Sequence, residues 1–154
     1  MDMKALVVYY SRTGNTKKVG QEIAKQLKSD IEQIEDVKSR LGPIGWLKSG
    51  REAIKNKLVE IKLTKKDPSK YDLAVIGTPV WAGTVSSPVR TYLSKHKFKK
   101  IALFCTCSGQ SGKAFDAMER ITGKKAIATL VIDEKEIKNG SYSKKVKEFV
   151  AKLK

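Results

Sequence analysis

The chain has 154 residues, with 32 Lys and Arg against 16 Asp and Glu, for a formal net charge of +16. Its length suits one domain spanning residues 1–154, and 40% hydrophobic with 31% charged content fits a folded globular protein rather than a disordered tail. No apolar run nears the ~20 residues of a membrane span, the Ala5–Tyr10 run is too short for a signal-peptide core, and two cysteines make no disulfide framework, so a reducing cytoplasm and no membrane partner are expected.

Lys4–Tyr10 is a continuous apolar, β-branched run, the pattern of a central parallel strand buried on both faces. The polar turn Ser11–Thr16 follows. Val19, Ile23, Ala24 and Leu27 then recur at helical spacing, predicting a helix over 15–28. Asp30–Glu35 reads as a shorter strand. Gly42-Pro43 can open a helix with Pro at its first position, on which Leu47, Ile54 and Leu58 share a rough face. Asp67-Pro68-Ser69 is a turn, and Asp72–Gly77 a second apolar strand. Thr78–Ser87 reads as a loop, with Ser87-Pro88 capping a helix that buries Val89, Tyr92 and Leu93.

Lys100–Thr106 is a third apolar strand, followed by a Ser/Gly loop at 107–112. Phe115, Met118 and Ile121 mark a helix that Gly123 ends, Ala126–Ile132 is another apolar strand, and Ser143 opens a last helix built on Val146, Phe149, Val150 and Leu153. Strands alternating with helices argue an α/β protein: a five-stranded parallel sheet with helices on both faces.

In such a sheet, ligands bind outside the carboxyl ends of the strands, where strand order reverses. Three loops leave those ends, at 11–16, 78–84 and 106–112. All are rich in Gly, Ser and Thr, and none carries a His or carboxylate suited to proton transfer. In the first, the hydroxyls of Ser11, Thr13 and Thr16, the Asn15 amide and free backbone N–H groups at a helix start can surround a phosphate; the same residues also make an ordinary helix cap. It is neither a Walker A sequence nor G-x-G-x-x-G.

Val7–Thr16, with Ser11-Arg12-Thr13-Gly14-Asn15-Thr16 at its end, resembles the phosphate loop of flavodoxins, of form S/T-x-T-G-N-T. Ile76–Gly83 resembles the flavodoxin loop that covers the isoalloxazine ring, and Phe104–Gly112 sits where that family's second ring loop sits. The resemblance spans nearly the whole chain. It implies a flavodoxin-like three-layer sandwich of strand order 2-1-3-4-5 with FMN as cofactor.

On that resemblance, Ser11, Thr13, Asn15 and Thr16 hold the phosphate, with Gly14 in the turn and Arg12 adding charge. Thr78, Pro79, Val80, Trp81, Ala82 and Gly83 line the ring, Trp81 stacks on one face, and the Ala82–Gly83 peptide turns a carbonyl toward the flavin. Thr106, Cys107, Ser108 and Gly109 form the second ring loop. That loop carries no aromatic, so either Trp46, Phe115 or another residue reaches in, or one ring face stays open.

Cys105 and Cys107 sit roughly 6.6 Å apart along a strand, at the edge of disulfide geometry, with one expected in the core and one in the loop. One His and two Cys build no metal site, and His96 falls in a Lys-rich connection that reads as solvated.

The expected function is electron transfer between redox partners; the alternative is FMN-dependent reduction of a quinone or other small molecule. Binding of nucleic acid ranks last, because the basic residues are 27 Lys and only 5 Arg, scattered over every helix. Flavodoxins are usually acidic, so the positive charge departs from the pattern and points to acidic partners such as ferredoxin-like carriers.

Overall fold

The computed structural model describes residues 3–38, 40–56 and 58–154. Strands β1 (Ala5–Tyr10), β2 (Asp30–Ile34), β3 (Leu73–Trp81), β5 (Ile101–Cys107) and β6 (Thr129–Asp133) form a parallel sheet in the order β2-β1-β3-β5-β6. This is the expected parallel topology. The sixth strand, β4 (Thr84–Val85), is antiparallel and pairs with the end of β3.

The apolar runs are double-sided because helices cover both faces. Along β1, Ala5, Val7 and Tyr9 face a core shared with α1 (Asn15–Leu27) and α6 (Tyr142–Leu153). Leu6, Val8 and Tyr10 face the opposite core, which includes Val89, Tyr92 and Leu93 of α3 (Ser87–Lys95) and Met118 of α4 (Ala114–Thr122). Side-chain alternation along each strand makes two cores from one continuous sequence run. At the centre, Gly77 leaves the space that the Phe104 ring fills: a Cβ there would lie 2.0 Å from that ring.

Several elements differ from the sequence expectation. Ser86, not Ser87, is the residue before α3; Pro88 still falls in the first turn, where its missing N–H costs no helical bond. The last helix begins at Tyr142, and a separate short helix, α5 (Glu134–Asn139), precedes it. That helix has a capping box: Asp133 accepts the Lys135 N–H at 2.9 Å, and Glu136 accepts the Asp133 N–H at 3.0 Å.

Helix α2 (Gly42–Ile54) forms, but its polarity is inverted. Its buried residues are Gly45, Ser49, Glu52 and Ala53, while Ile44, Trp46, Leu47 and Ile54 face out. The cause is a buried cation. Arg40 places Nη1 2.6 Å from Glu52 Oε1 and 3.3 Å from Ser49 Oγ, and Nε 3.0 Å from Asp36 Oδ1. Burial works against the guanidinium's charge, but the hydrogen bonds it donates to Glu52 and Asp36 outweigh it and raise its pKa. Gly45 is required where α2 passes Arg40, since a Cβ would lie 2.0 Å from the Arg40 carbonyl oxygen. Among the described residues, no helix is long and apolar enough to cross a membrane.

Candidate functional site

The three Gly/Ser/Thr loops leave the carboxyl ends of β1, β3 and β5 on one edge of the sheet. Chain connections from β1 and β3 run to opposite sides there, which opens the crevice where ligands of doubly wound sheets bind.

The first loop turns through Gly14 at φ 106°, with nothing within 4 Å of the position a Cβ would take. Helix α1 has no side-chain cap and no acidic residue in its first turn. Its leading N–H groups, the exposed Thr13 and the half-buried Ser11 and Asn15 therefore offer donors to an anion, reinforced by the helix dipole. Ser11 Oγ also accepts the Gly14 N–H at 3.0 Å, which sets the turn.

Two residues of this loop have other engagements. Thr16 is buried, its hydroxyl 2.7 Å from that of Thr106. Arg12 donates from Nε to the Arg40 carbonyl and from Nη2 to the Gly42 carbonyl, both at 2.9 Å. The Arg12 side chain thus ties the loop to the start of α2, and Thr16 ties α1 to β5.

The second loop is a tight hairpin. Val80 pairs with Val85 and Trp81 with Thr84, leaving Ala82 and Gly83 as a two-residue turn with φ of 49° and 77°. Positive φ at both central residues matches a type I′ geometry. Thr78 lies buried beneath, accepting the Ser86 N–H at 3.0 Å and donating to the Pro79 carbonyl at 2.8 Å. The Gly83 carbonyl accepts the Lys113 N–H at 2.7 Å. Gly112 passes so close that a Cβ there would lie 2.3 Å from the Gly83 oxygen, so hairpin and third loop are locked together.

Trp81 is turned inward and is only 8% exposed. Its ring meets the Tyr10 ring edge-on at 5.5 Å and lies 5.2 Å from the Arg40 guanidinium. Tyr10 in turn donates its hydroxyl to Asp36; burial, then that bond, raises its pKa.

In the third loop the Gly109 N–H donates to Asp133 Oδ2 at 2.8 Å. Both cysteines lie in β5 and are buried, which corrects the expectation of one in the loop. Burial pushes the Cys105 thiol up to about 12 and raises Cys107 as well. Neither is poised as a thiolate. His96, expected in solvent, stacks on Tyr92 at 4.3 Å. The described residues hold no cluster of His, Cys, Asp and Glu fit for a metal ion.

Val80, Trp81, Ala82 and Gly83 meet Ser108, Gly109 and Gln110 in one groove of about 1200 Å³. The facing wall is α2: Ile44, Trp46, Leu47 and Ile54, with Lys48, Arg51 and Lys55. Trp46, 64% exposed, is the free aromatic of this groove, whereas Phe115 packs half-buried against the core. Apart from Trp46, the α2 wall escapes a sequence reading: its apolar spacing is the same whether the face is buried or bare.

Fold and loops define a doubly wound α/β protein, with the groove beside the topological switch point where ligands of such sheets bind. The flavodoxin family model matches residues 4–153, so the chain belongs to the flavodoxin family. Among curated protein sequences none matches it. A flavoprotein from Lactobacillus acidophilus NCFM, solved in complex with FMN, is similar with a TM-score of 0.72 and 28% identity, over 90% of this chain and 99% of that one. The two-electron reduced flavodoxin of Megasphaera elsdenii gives 0.58 and 22%, over 96% and 98%. The flavodoxin, WrbA-like protein from Agrobacterium tumefaciens gives 0.55 and 15%, over 99% of each chain. These last two share the fold.

Proposed function

We propose that this chain binds FMN across the switch-point crevice and carries electrons between redox partners. The observation that carries this reading is the uncapped start of α1 at one end of the site, joined through Arg12 and Thr16 to a groove walled by ring-binding loops at the other. A donor-lined turn with open space over Gly14 fits a phosphate, and an apolar groove fits a flat ring.

In this reading Ser11, Thr13, Asn15 and the first-turn N–H groups hold the phosphate. Val80, Ala82, Gly83, Ser108 and Gly109 bound the ring, and Trp46 offers it an aromatic face. FMN when bound supplies the one- and two-electron chemistry; the protein contributes orientation, partial burial and hydrogen bonds. The relative from L. acidophilus, whose crystals contain FMN, supports the assignment.

A second reading, reduction of a small molecule such as a quinone, is favoured by the third loop: Ser108, Gly109 and Gln110 supply no aromatic to the groove of about 1200 Å³ that they line with Trp46. Visible absorption during stepwise reduction of the purified, FMN-supplied protein tests both. A bound-flavin spectrum that the protein alone does not discharge to quinone with NADH or NADPH supports the carrier, and rapid turnover the reductase. A colourless protein that takes up no FMN at micromolar concentration overturns both.

A further inference from the structure

Helix α2 presents to solvent the residues a surface helix normally hides: Ile44 is 82% exposed, Ile54 70% and Leu47 64%. Its inner side is occupied by the Arg40 clasp and by Gly45 and Ala53. Val37, Leu41 and Leu58, which flank α2 in the chain and do not line the groove, are exposed as well. Lys48, Arg51 and Lys55 stand among these residues, exposed, and none of the three meets a carboxylate among the described residues. An apolar strip studded with free cations, beside the ring loops, on a chain of net charge +16, is a surface for a partner with the opposite pattern.

We propose that the outer face of α2 docks an acidic electron-transfer protein, whose carboxylates ring an apolar contact and meet Lys48, Arg51 and Lys55. The inference rests on the ring site proposed above, since docking there brings the partner to the groove edge. Three observations choose this occupant. Exposed apolar side chains flanking α2 lie outside the groove lining, so a small molecule held in the groove does not account for them. A second copy of the chain would bring the same cations against these. A lipid surface suits a convex amphipathic helix, whereas this face is one wall of a cleft opposite Val80–Gly83 and Ser108–Gln110. Electrostatic complementarity of this kind acts mainly on encounter rate and partner choice.

The test measures binding of an acidic plant-type [2Fe–2S] ferredoxin to the full chain, with and without FMN, at low and high salt, with FMN affinity determined separately for every variant. We expect the dissociation constant to rise at least tenfold between low and high salt. The triple variant Lys48→Glu, Arg51→Glu, Lys55→Glu should weaken binding at least tenfold. The triple Lys144→Glu, Lys147→Glu, Lys152→Glu on exposed positions of α6, on the other side of the sheet, makes the same charge change and should stay within about threefold. The double variant Ile44→Ser, Leu47→Ser should weaken binding without altering the salt slope.

Equal losses from the two charge triples overturn the proposal, because long-range attraction alone would then account for binding. So do absence of ferredoxin binding, capture by anionic vesicles in its place, or self-association through α2. Loss of FMN binding by the unmodified chain would instead sink the cofactor reading, and ferredoxin binding by the flavin-free chain still reports on the surface.

Discussion

The Arg40 guanidinium lies 5.2 Å from the Trp81 ring while its carbonyl accepts a hydrogen bond from Arg12. One buried cation therefore touches the end of β3 with its side chain and the loop after β1 with its backbone, and holds Glu52 of α2 as well. The two ends of the candidate site are braced against each other through a residue that does not itself line the groove.

Arg40→Met should remove that brace and strand Asp36 and Glu52 without their counter-charge. Breaking a buried ion pair from one side costs about 3–5 kcal/mol. Replacing Glu52 too, as in Arg40→Met with Glu52→Met, removes the more buried of the two stranded carboxylates and should recover part of the loss. Urea denaturation of the single and double variants checks this; a double variant no more stable than the single would count against the clasp.

Ala82 occupies the left-handed region at φ 49°, which costs a non-glycine residue about 1–2 kcal/mol. Ala82→Gly should therefore stabilise the protein by about 1 kcal/mol. Gly112→Ala should do the opposite, because its φ is also positive and the new Cβ meets the Gly83 carbonyl. Thermal melts of the pair give opposite shifts in Tm if the hairpin and third loop are locked as described.

Trp46 and Trp81 should separate on substitution. Trp81→Ala opens a hole beside Tyr10 and should lower stability by about 3–5 kcal/mol along with FMN affinity. Trp46→Ala removes an exposed ring and should change stability by no more than about 0.5 kcal/mol. Its FMN affinity should fall roughly three- to tenfold if the ring stacks on the flavin. FMN titration alongside denaturation distinguishes the two, and an unaltered affinity in Trp46→Ala would show that the ring does not stack.

Asp133 and Glu136 both have lowered pKa values. Hydrogen bonds from the Lys135 and Gly109 N–H groups lower Asp133, and Lys145 followed by the Asp133 N–H lowers Glu136. A carboxylate with a lowered folded-state pKa contributes stability above its ordinary range and loses it as pH falls through the folded value. The contribution should thus be complete at neutral pH and fade below about pH 4. Asp133→Asn should flatten that acid limb and loosen Gly109. The pH dependence of unfolding and of FMN affinity in both proteins tests it.

Much of this fold is legible in the sequence because the strands are two-sided. Ala5–Tyr10 and Ile101–Cys107 are apolar throughout because helices cover both faces, and an apolar run this short between turn residues is hard to place anywhere but in a central strand. Gly14 and Gly123 also announce their left-handed turns. Helix α2 is legible as a helix but not in orientation. Periodicity marks which residues share a face, not which face is inside, and here Arg40, just ahead of the helix, decides it. The β4 hairpin escapes the sequence for a related reason: Ala82-Gly83 is a poor turn signal beside Asn-Gly, and the third loop supplies the contact that holds it.

Because α2 is fastened through Arg40, Ser49 and Glu52 and buries no large apolar side chain of its own, its detachment should uncover little hydrocarbon. Denaturant sensitivity scales with surface newly exposed on opening. In native-state hydrogen exchange, the amides of α2 should open by a local route almost independent of urea. Those of β1 and β5 should report the global transition with its full slope. Thus the wall of the groove proposed to face a partner should also be the part of the molecule that comes and goes without unfolding the rest.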